Sequence, residues 1–381
     1  MRRLLILAST IVFVDTMFFA AVVPLLPTLS DEFDLSKTAA GILSGAYAAG
    51  TLVAAVPAGL FASRVGVRPT VVAGLGLMAG SGVVFAVAND VVLLDAARFV
   101  QGVGGACSWA GALGWLIGVA PRERRGQLIG SAMAFAIAGV LFGPVLGGAA
   151  VGLGRGPVFG AVAIAGLGLI ALTLRLPAPH TAISGTAREK LTVLSAVPGV
   201  RVGMILILIP GLVFGAVDVL VPLRLDELGA GAGAIAAIFL IAAATEAAVN
   251  PLAGHMSDRY GRMTPSKVGL ATSAVASLVL IAPGQAWVLG VVFVIAAPAI
   301  GILWSPAMAM LSDGAEGAGI DQGLAFGIVN LGWGLGHTFG SVGGPALADV
   351  TNDAVTYCVL AATCAGALAL LEWRKLVPEP A

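Results

Sequence analysis

Charged residues are scarce in this sequence of 381 residues. Asp, Glu, Lys and Arg make up only 10% of the chain, whereas an ordinary soluble domain contains roughly 25% charged residues. Apolar side chains account for 59% of the sequence, and the mean hydropathy is +1.01. The lack of charge excludes an ordinary soluble domain and predicts a chain that lies in a lipid bilayer.

Cysteine is rare as well. Cys107, Cys358 and Cys364 fall inside apolar stretches and lack the spacing of metal ligands, so we interpret them as small packing residues. The sequence also lacks the G-x-x-x-x-G-K-[ST] pattern of nucleotide-binding loops, and its net charge of +0 gives no support for a nucleic-acid partner. We therefore expect no cofactor, no metal ion, no nucleic-acid partner and no enzymatic activity.

Long apolar stretches dominate the rest of the chain. A helix needs about 20 apolar residues to cross a hydrocarbon layer of about 30 Å. Twelve stretches have this character when they are bounded at charges, prolines and glycine-rich turns. They are residues 4–26, 38–62, 69–88, 91–119, 126–150, 156–176, 200–222, 231–254, 265–283, 286–311, 322–347 and 353–372. The predicted fold class is therefore an all-α membrane protein with twelve transmembrane helices.

A polar segment divides the predicted spans into two groups of six. We predict an N-terminal six-helix bundle at 1–176, a cytoplasmic linker at 177–199 and a C-terminal six-helix bundle at 200–381. The halves share a repeat, because AGLFASRVGVRP at 58–69 aligns without a gap with AGHMSDRYGRMT at 253–264, an offset of 195 residues (253 − 58). A parallel repeat of this kind predicts two pseudo-symmetric bundles with a substrate site near the bilayer midplane.

The distribution of basic residues predicts the orientation. Of the 20 Lys and Arg residues, only Lys37, Arg155 and Arg224 fall in predicted outer segments, and Arg98 lies within a span. The other sixteen fall in segments that face the cytoplasm if the amino terminus is inside. Under the positive-inside rule, both termini are expected in the cytoplasm.

The loop after the second predicted span resembles a family signature. Gly59, Arg64, Gly66 and Arg68 are similar to the G-x-L-x-D-R-x-G-R-R pattern of the major facilitator superfamily, although Ser63 replaces its aspartate. The glycines allow a tight cytoplasmic turn, and the arginines can reach helix-end carbonyls and phospholipid head groups.

The second copy of this loop retains the aspartate, as Asp258 beside Arg259. In the superfamily the aspartate is thought to help hold one conformation closed. We therefore expect that role in the second half of the chain.

Two further motifs carry the resemblance. In the fourth predicted span Arg98, Gln101, Gly102 and Gly105 are similar to the superfamily's R-x-x-q-G pattern. The fifth predicted span resembles the antiporter motif, a series of spaced glycines with one proline that forms a smooth strip and a bend. Its residues are Gly130, Gly139, Gly143, Pro144, Gly147 and Gly148.

Within the superfamily, the sequence resembles the twelve-helix drug:proton antiporters, which include the vesicular amine transporters. The resemblance covers essentially the whole chain. It implies the major facilitator fold, export rather than uptake, and a monomer. The low charge and the abundance of Ala, Gly and Val indicate a GC-rich bacterial source, for which we expect a place in the inner (plasma) membrane.

Three acidic residues lie inside predicted spans: Asp15, Asp218 and Glu246. Each ionised residue, and Arg98, costs about 2.5–3.5 kcal/mol within a span, so lipid-facing positions are unfavourable. Asp15 and Asp218 occupy corresponding first helices of the halves, and each precedes a Val-Pro-Leu. An acid that must hold either a proton or a cation would couple the two, and amine transporters are associated with acids in these two helices. Structural ion pairing remains the alternative for each residue.

Other polar and aromatic residues share helical faces with these acids. Asn250 lies one turn from Glu246. Phe18, Phe19 and Trp333 are candidate aromatic contacts for an organic cation. In the eleventh predicted span Asn330, Trp333 and His337 stack at spacings of three and four, and there packing is an equally good interpretation.

The sequence predicts a proton-coupled exporter of small hydrophobic or cationic compounds that works by alternating access in the bilayer. Its partners would be protons and a small-molecule substrate. One alternative is a proton-coupled transporter of a neutral metabolite such as a sugar or amino acid. Another is a membrane sensor without transport activity.

Overall fold

The computed structural model describes residues 2–120, 125–178, 197–318 and 322–374, and these ranges contain α-helices, one 3₁₀ turn and no strand. The first half forms α1 (Arg2–Ala20), α2 (Leu26–Phe33), α3 (Lys37–Val65), α4 (Val67–Val87), α5 (Val91–Val119), α6 (Arg125–Leu153) and α7 (Arg155–Arg175). The second half forms α8 (Pro198–Glu227), α9 (Ala232–Tyr260), α10 (Met263–Val279), α11 (Ala286–Gly301), α12 (Trp304–Gly317), α13 (Gln322–Val350) and α14 (Asp353–Arg374).

These helices confirm the all-α membrane fold and the twelve predicted spans. Ten segments of the described chain are long and apolar enough to cross a bilayer, and α10 and α13 supply the other two. The first span consists of α1 and α2, joined by the turn Val23–Leu25, and the tenth consists of α11 and α12, which break at residues 302–303. Both breaks are close to a proline, which lacks the N–H group that a continuous helix requires.

The chain divides into two compact units. Unit 1 contains Met1–Thr28 and Ala46–Gly185, and unit 2 contains Leu29–Gly45 and Thr186–Ala381. The boundaries that the sequence predicts, at residues 176 and 200, stay a prediction. Most of the predicted linker at 177–199 lies outside the described residues.

Residues 29–45 are tied into unit 2 by polar contacts. The Lys37 ammonium lies 2.7 Å from the Asp353 carboxylate. Asp349 accepts hydrogen bonds from the Thr38 backbone N–H and hydroxyl, at 2.8 and 2.5 Å. The N–H groups in the first turn of a helix lack helical partners, and a carboxylate satisfies them well. Asp349 of α13 therefore caps the start of α3.

In unit 1, α6 packs closely against α1 through a strip of glycines. A methyl group on Gly139, Gly143 or Gly147 would collide with atoms of residues 13–24. The Thr16 hydroxyl also donates a hydrogen bond to the Ala136 carbonyl, at 2.8 Å. Pro144 and Gly148 lie on the same helix. The strip allows backbone-to-backbone contact, which is how helices without large apolar side chains associate in lipid.

Unit 2 contains a second glycine strip that the sequence analysis did not single out. Gly336, Gly340 and Gly344 of α13 face α8, where a methyl group on any of them would collide with residues 208–216. Gly211 and Gly215 of α8 face α13 in return. The spacing of four residues along α13 is the signal that could have revealed this contact.

Replacing Gly139 with Ala should destabilise the folded protein by about 1–3 kcal/mol, because the added methyl group forces α1 and α6 apart. Gly130 lies on the same helix and its Cβ position is open, so Gly130→Ala is the matched control. It should leave stability unchanged or raise it by up to about 1 kcal/mol through helix propensity. Thermal unfolding in detergent measures both variants, and equal midpoints would contradict close packing at Gly139.

Candidate functional site

The buried carboxylate of Asp15 lies at the centre of a polar network in unit 1. Its Oδ1 atom accepts a hydrogen bond from the Tyr47 hydroxyl of α3 at 2.7 Å, and its Oδ2 atom accepts one from the Trp109 indole N–H of α5 at 2.6 Å. Asp15 is only 3% exposed. Both carboxylate oxygens therefore have protein donors.

Arg98 belongs to the same network. Its guanidinium donates to the Phe18 and Phe19 carbonyls, each at 3.2 Å, and to Gln101 Oε1 at 2.6 Å. It also lies over the Tyr47 ring, 5.1 Å from the ring centroid. These contacts explain how a residue that is 2% exposed can remain charged within a span.

The two phenylalanines that follow Asp15 are packing residues in unit 1. Phe18 is 2% exposed and packs against Phe159, with ring centroids 5.5 Å apart. The Phe19 ring lies 5.1 Å from the Tyr47 ring. Phe18 is thus part of the apolar core, where it is inaccessible to a soluble cation.

The first copy of the family loop forms a turn. Ser63, which stands where the family pattern has an aspartate, carries no charge and forms no ion pair there. Gly66 has a φ of +108°, which favours glycine. The Ser63 hydroxyl donates to the Leu60 carbonyl of its own helix at 2.9 Å, and Arg68 donates to the Leu174 carbonyl at the end of α7. Gly59 has open space at its Cβ position, and Arg64 lies in the last turn of α3.

The second copy contains a charged cluster centred on Arg262. The guanidinium of Arg262 donates to Asp258 at 2.6 Å, to Ser257 at 3.1 Å and to Asp313 of α12 at 3.1 Å. Partial burial acts to lower the pKa of Arg262, but hydrogen bonds and charge from the two aspartates outweigh it and raise the pKa above its ordinary value. The cluster links the end of α9 to α12.

Arg262 was missed by the sequence analysis, which paired Asp258 with its neighbour Arg259. In the structure, Arg259 lies over the Tyr260 ring instead, 5.4 Å from its centroid. The spacing of four residues between Asp258 and Arg262 is the signal that could have revealed this pair. The offset of 195 places Asp258 opposite Ser63 and Arg262 opposite Val67. The first copy therefore lacks both members of the ion pair, and the second retains both.

The other two acids of the spans lie together in unit 2. Asp218 of α8 is close enough to Glu246 of α9 for the two carboxyl groups to repel each other, and the Trp304 indole donates a hydrogen bond to Glu246. A methyl group on Gly301 would lie 2.6 Å from Glu246 Oε1. Glu246 therefore rests on the backbone where α11 ends.

The break between α11 and α12 supplies further polar groups beside Glu246. Pro298 cannot donate to the Val294 carbonyl, and the Thr245 hydroxyl of α9 donates to it instead, at 3.1 Å. Ser305 donates to the Asn250 backbone carbonyl at 3.3 Å, whereas the buried Asn250 Oδ1 atom has no partner among the described residues.

An aromatic pair lines the same region. The Phe214 ring, one turn before Asp218 on α8, stacks on Trp304 at a centroid distance of 6.5 Å and an interplanar angle of 13°. Phe214 and Trp304 were not predicted as site residues. The two rings come together only in the tertiary structure, where α8 packs beside the break between α11 and α12.

The eleventh predicted span corresponds to α13. Trp333 and His337 stack with ring centroids 5.3 Å apart, and His337 is 1% exposed. Their backbone atoms lie against Gly211 of α8. Asn330 is half-buried on the same helix.

Of the polar residues predicted for the site, the structure brings together Asp15 with Arg98 in unit 1, and Asp218 with Glu246 in unit 2.

Comparisons with known proteins identify the family to which this chain belongs. The sequence matches the profile of the Major Facilitator Superfamily over residues 8–320 and 203–381. It is 28% identical over 134 residues to "MFS-type transporter ppzB" of Metarhizium rileyi (strain RCEF 4871), a match that covers 34% of this chain and 28% of that relative's length.

Solved transporters have the same fold. The crystal structure of D-xylose-proton symporter aligns with a TM-score of 0.77 at 19% identity, over 99% of this chain and 97% of the other. A bacterial homolog to the human lysosomal transporter Spinster aligns with a TM-score of 0.77 at 18% identity, over 99% and 98% of the two chains. At such identities the likeness shows the fold alone. With the profile match over most of its length, this chain belongs to the Major Facilitator Superfamily and is a multi-pass membrane protein.

Proposed function

We propose that this protein is a proton-coupled exporter of small hydrophobic cations, and that Asp218 and Glu246 form its cation- and proton-binding pair. The observation that carries the proposal is that the described residues supply no positive charge to balance this pair. Neither residue forms an ion pair with any described residue, although both lie within membrane spans.

The charge of the pair contrasts with that of the acid in unit 1. The negative charge of Asp15 is attracted to Arg98, with Tyr47 in contact with both. Two ionised carboxylates at Asp218 and Glu246 would have no such compensation, at a cost of about 2.5–3.5 kcal/mol for each charge. A proton or a bound cation removes part of that charge.

Competition for the pair gives antiport directly. When a cationic substrate binds between the carboxyl groups, a proton becomes unnecessary for charge balance and leaves. When the substrate dissociates, a proton returns. One site that holds either occupant, exposed to the two sides in turn, exchanges one for the other. With the cytoplasmic termini predicted by the basic residues, proton entry would drive substrate out.

The groups around the pair support a hydrophobic cation as the substrate. Phe214 and Trp304 offer parallel aromatic faces, which attract cations and apolar groups. Asn250 Oδ1 accepts no hydrogen bond from the described part of the chain, so an N–H group of a substrate could satisfy it. A neutral sugar would leave charge compensation of the carboxyl pair to protons alone, so it would not compete with them. The acid of unit 1, Asp15, is the second candidate for proton coupling.

Purified protein in liposomes with an acidic lumen should exchange internal protons for external tetraphenylphosphonium. This cation is charged at every pH, so it does not accumulate passively as a weak base does. Potassium with valinomycin holds the membrane potential at zero. A pH-sensitive dye in the lumen should report proton release, and radiolabel should report cation uptake.

Asp218→Asn and Glu246→Gln should each lower this exchange by about 10–100-fold, the effect of losing one hydrogen bond or ion contact to a charged group. Asp226→Asn, on the same helix as Asp218, is the control and should exchange normally. Proton release with a sugar or amino acid, but with no member of a panel of cations, would replace the export hypothesis with metabolite transport. Normal exchange by both pair variants would remove the pair from the site.

Replacing Arg262 with Gln should lower turnover by about two- to fivefold while the KM for the cation stays near the wild-type value. The reason is that the substitution removes two partly exposed ion pairs, each worth about 0.2–1 kcal/mol, between α9 and α12. Lys267→Gln removes a similar surface pair, with Glu372 at 2.9 Å, and should have no effect on turnover. An unchanged turnover in Arg262→Gln would show that the cluster has no conformational role.

A further inference from the structure

The residues of the fourth-span motif all serve the Asp15 network, which we define as Asp15, Tyr47, Arg98, Gln101 and Trp109. A methyl group on Gly105 would lie 2.6 Å from both Asp15 Oδ1 and the Tyr47 hydroxyl. Because Gly105 has no side chain, it leaves room for the hydrogen bond between these two atoms.

Gly102 positions the helix that carries Tyr47. A methyl group on Gly102 would collide with the Tyr47 carbonyl, and the Thr51 hydroxyl donates to the Gly102 carbonyl at 3.2 Å. The two helices α3 and α5 therefore meet backbone to backbone at the level of Tyr47. This close approach lets a hydroxyl from α3 reach a carboxylate on α1.

Arg98 connects the network to the break in the first span. The carbonyls of Phe18 and Phe19 lie in the last turn of α1, where a helix leaves carbonyls without N–H partners. Arg98 supplies donors to both of them. The chain then turns through Val23–Leu25 before α2 begins. The geometry of the break thus depends on the position of the guanidinium.

Tyr47 is the link between the carboxylate and the guanidinium. Its hydroxyl donates to Asp15, and its ring carries Arg98 at 5.1 Å. The polar and titratable groups that contact Asp15 from α3 and α5 are Tyr47, Trp109 and Arg98. From α6, the described contacts to α1 are the Ala136 carbonyl on Thr16 and the glycine strip, and from α7 the contact is Phe159 on Phe18.

The chemistry of these donors determines what happens when Asp15 takes up a proton. An indole N–H can only donate, whereas a phenolic hydroxyl can donate or accept. A proton from water on Oδ2 would point at the Trp109 N–H, so the favourable position is Oδ1. The Tyr47 hydroxyl must then rotate from donor to acceptor. At the same time Arg98 loses its opposing charge.

We propose that Tyr47, Arg98 and Trp109 are positioning residues through which the protonation of Asp15 controls the break in the first span. The inference rests on the proposed function, because it takes Asp15, the second candidate for proton coupling, as a proton site in addition to the pair of Asp218 and Glu246. Trp109 directs the proton to Oδ1, Tyr47 reverses its hydrogen bond in response, and Arg98 transmits the change to the Phe18 and Phe19 carbonyls.

Infrared difference spectra of the full chain between acidic and alkaline pH test the proposal without transport. The wild type should show a protonated-carboxyl band of Asp15 that is missing from the spectrum of Asp15→Asn, whereas bands from Asp218 and Glu246 should be present in both. Tyr47→Phe keeps the ring under Arg98 but removes the hydrogen-bond acceptor, so the C=O band of Asp15 should move to higher frequency. Tyr357→Phe removes the other buried tyrosine hydroxyl, in unit 2, and should leave the band unchanged.

Transport by the same variants separates coupling from substrate binding. Tyr47→Phe should lower proton-driven exchange by about tenfold, the loss of one charged hydrogen bond, with little change in the KM for tetraphenylphosphonium. Arg98→Gln should lower exchange similarly, and Arg98→Lys should restore only part of it, because one ammonium lacks the fork that reaches both carbonyls.

The two hypotheses fail in different ways. If the wild type exchanges protons for no cation, the proposed function is wrong, and the infrared bands still decide the role of the network. If the bands of wild type and Asp15→Asn are identical, or Tyr47→Phe leaves both the band and the exchange unchanged, the positioning role is wrong. Folded yield and thermal midpoints identify any variant that has lost its structure. If Tyr47→Phe is such a variant, Trp109→Phe provides the second test of the Asp15 band.

Discussion

Inside a bilayer, polar groups have no water to bind, so each of them needs a partner from the chain itself. The cost of an unsatisfied backbone or charged group in hydrocarbon is several kcal/mol, and the described structure is arranged around avoiding it. Asp349 caps α3, Thr245 satisfies the carbonyl that Pro298 leaves free, and Arg98 satisfies two carbonyls where α1 ends. Asp218 forms no ion pair with any described residue, which makes it a candidate for binding a cation or a proton.

The two units meet this constraint differently. In unit 1, Asp15 and Arg98 are both buried and lie on either side of Tyr47. In unit 2, Asp218 and Glu246 lie together, and Glu246 accepts a hydrogen bond from the Trp304 indole. The charged loop cluster shows the same asymmetry, because unit 2 retains Asp258 and Arg262 where unit 1 has Ser63 and Val67. The two copies of the repeat therefore differ in where they hold their charged groups.

Glycine makes these arrangements possible. Helices in lipid gain little from burying large apolar side chains against each other, so close packing depends on small residues that let backbones touch. The strip on α6 brings this helix against α1, and the strip on α13 brings that helix against α8. Single glycines then make room for chemistry: Gly105 for the Asp15–Tyr47 hydrogen bond and Gly301 for the Glu246 carboxyl group.

The sequence by itself determined the twelve spans and the all-α fold, because apolar length and scarce charge leave a chain no other stable arrangement in a bilayer. It also located the acids within the spans, because their positions inside apolar stretches are visible in the sequence. Only the tertiary structure decided their partners. Tyr47, Trp109 and Trp304 read as ordinary aromatics in apolar stretches, and Arg262 as one basic residue in a basic loop. Partnership depends on which helix faces meet and how closely, and that is decided by packing between residues as far apart in the chain as Asp15 and Trp109.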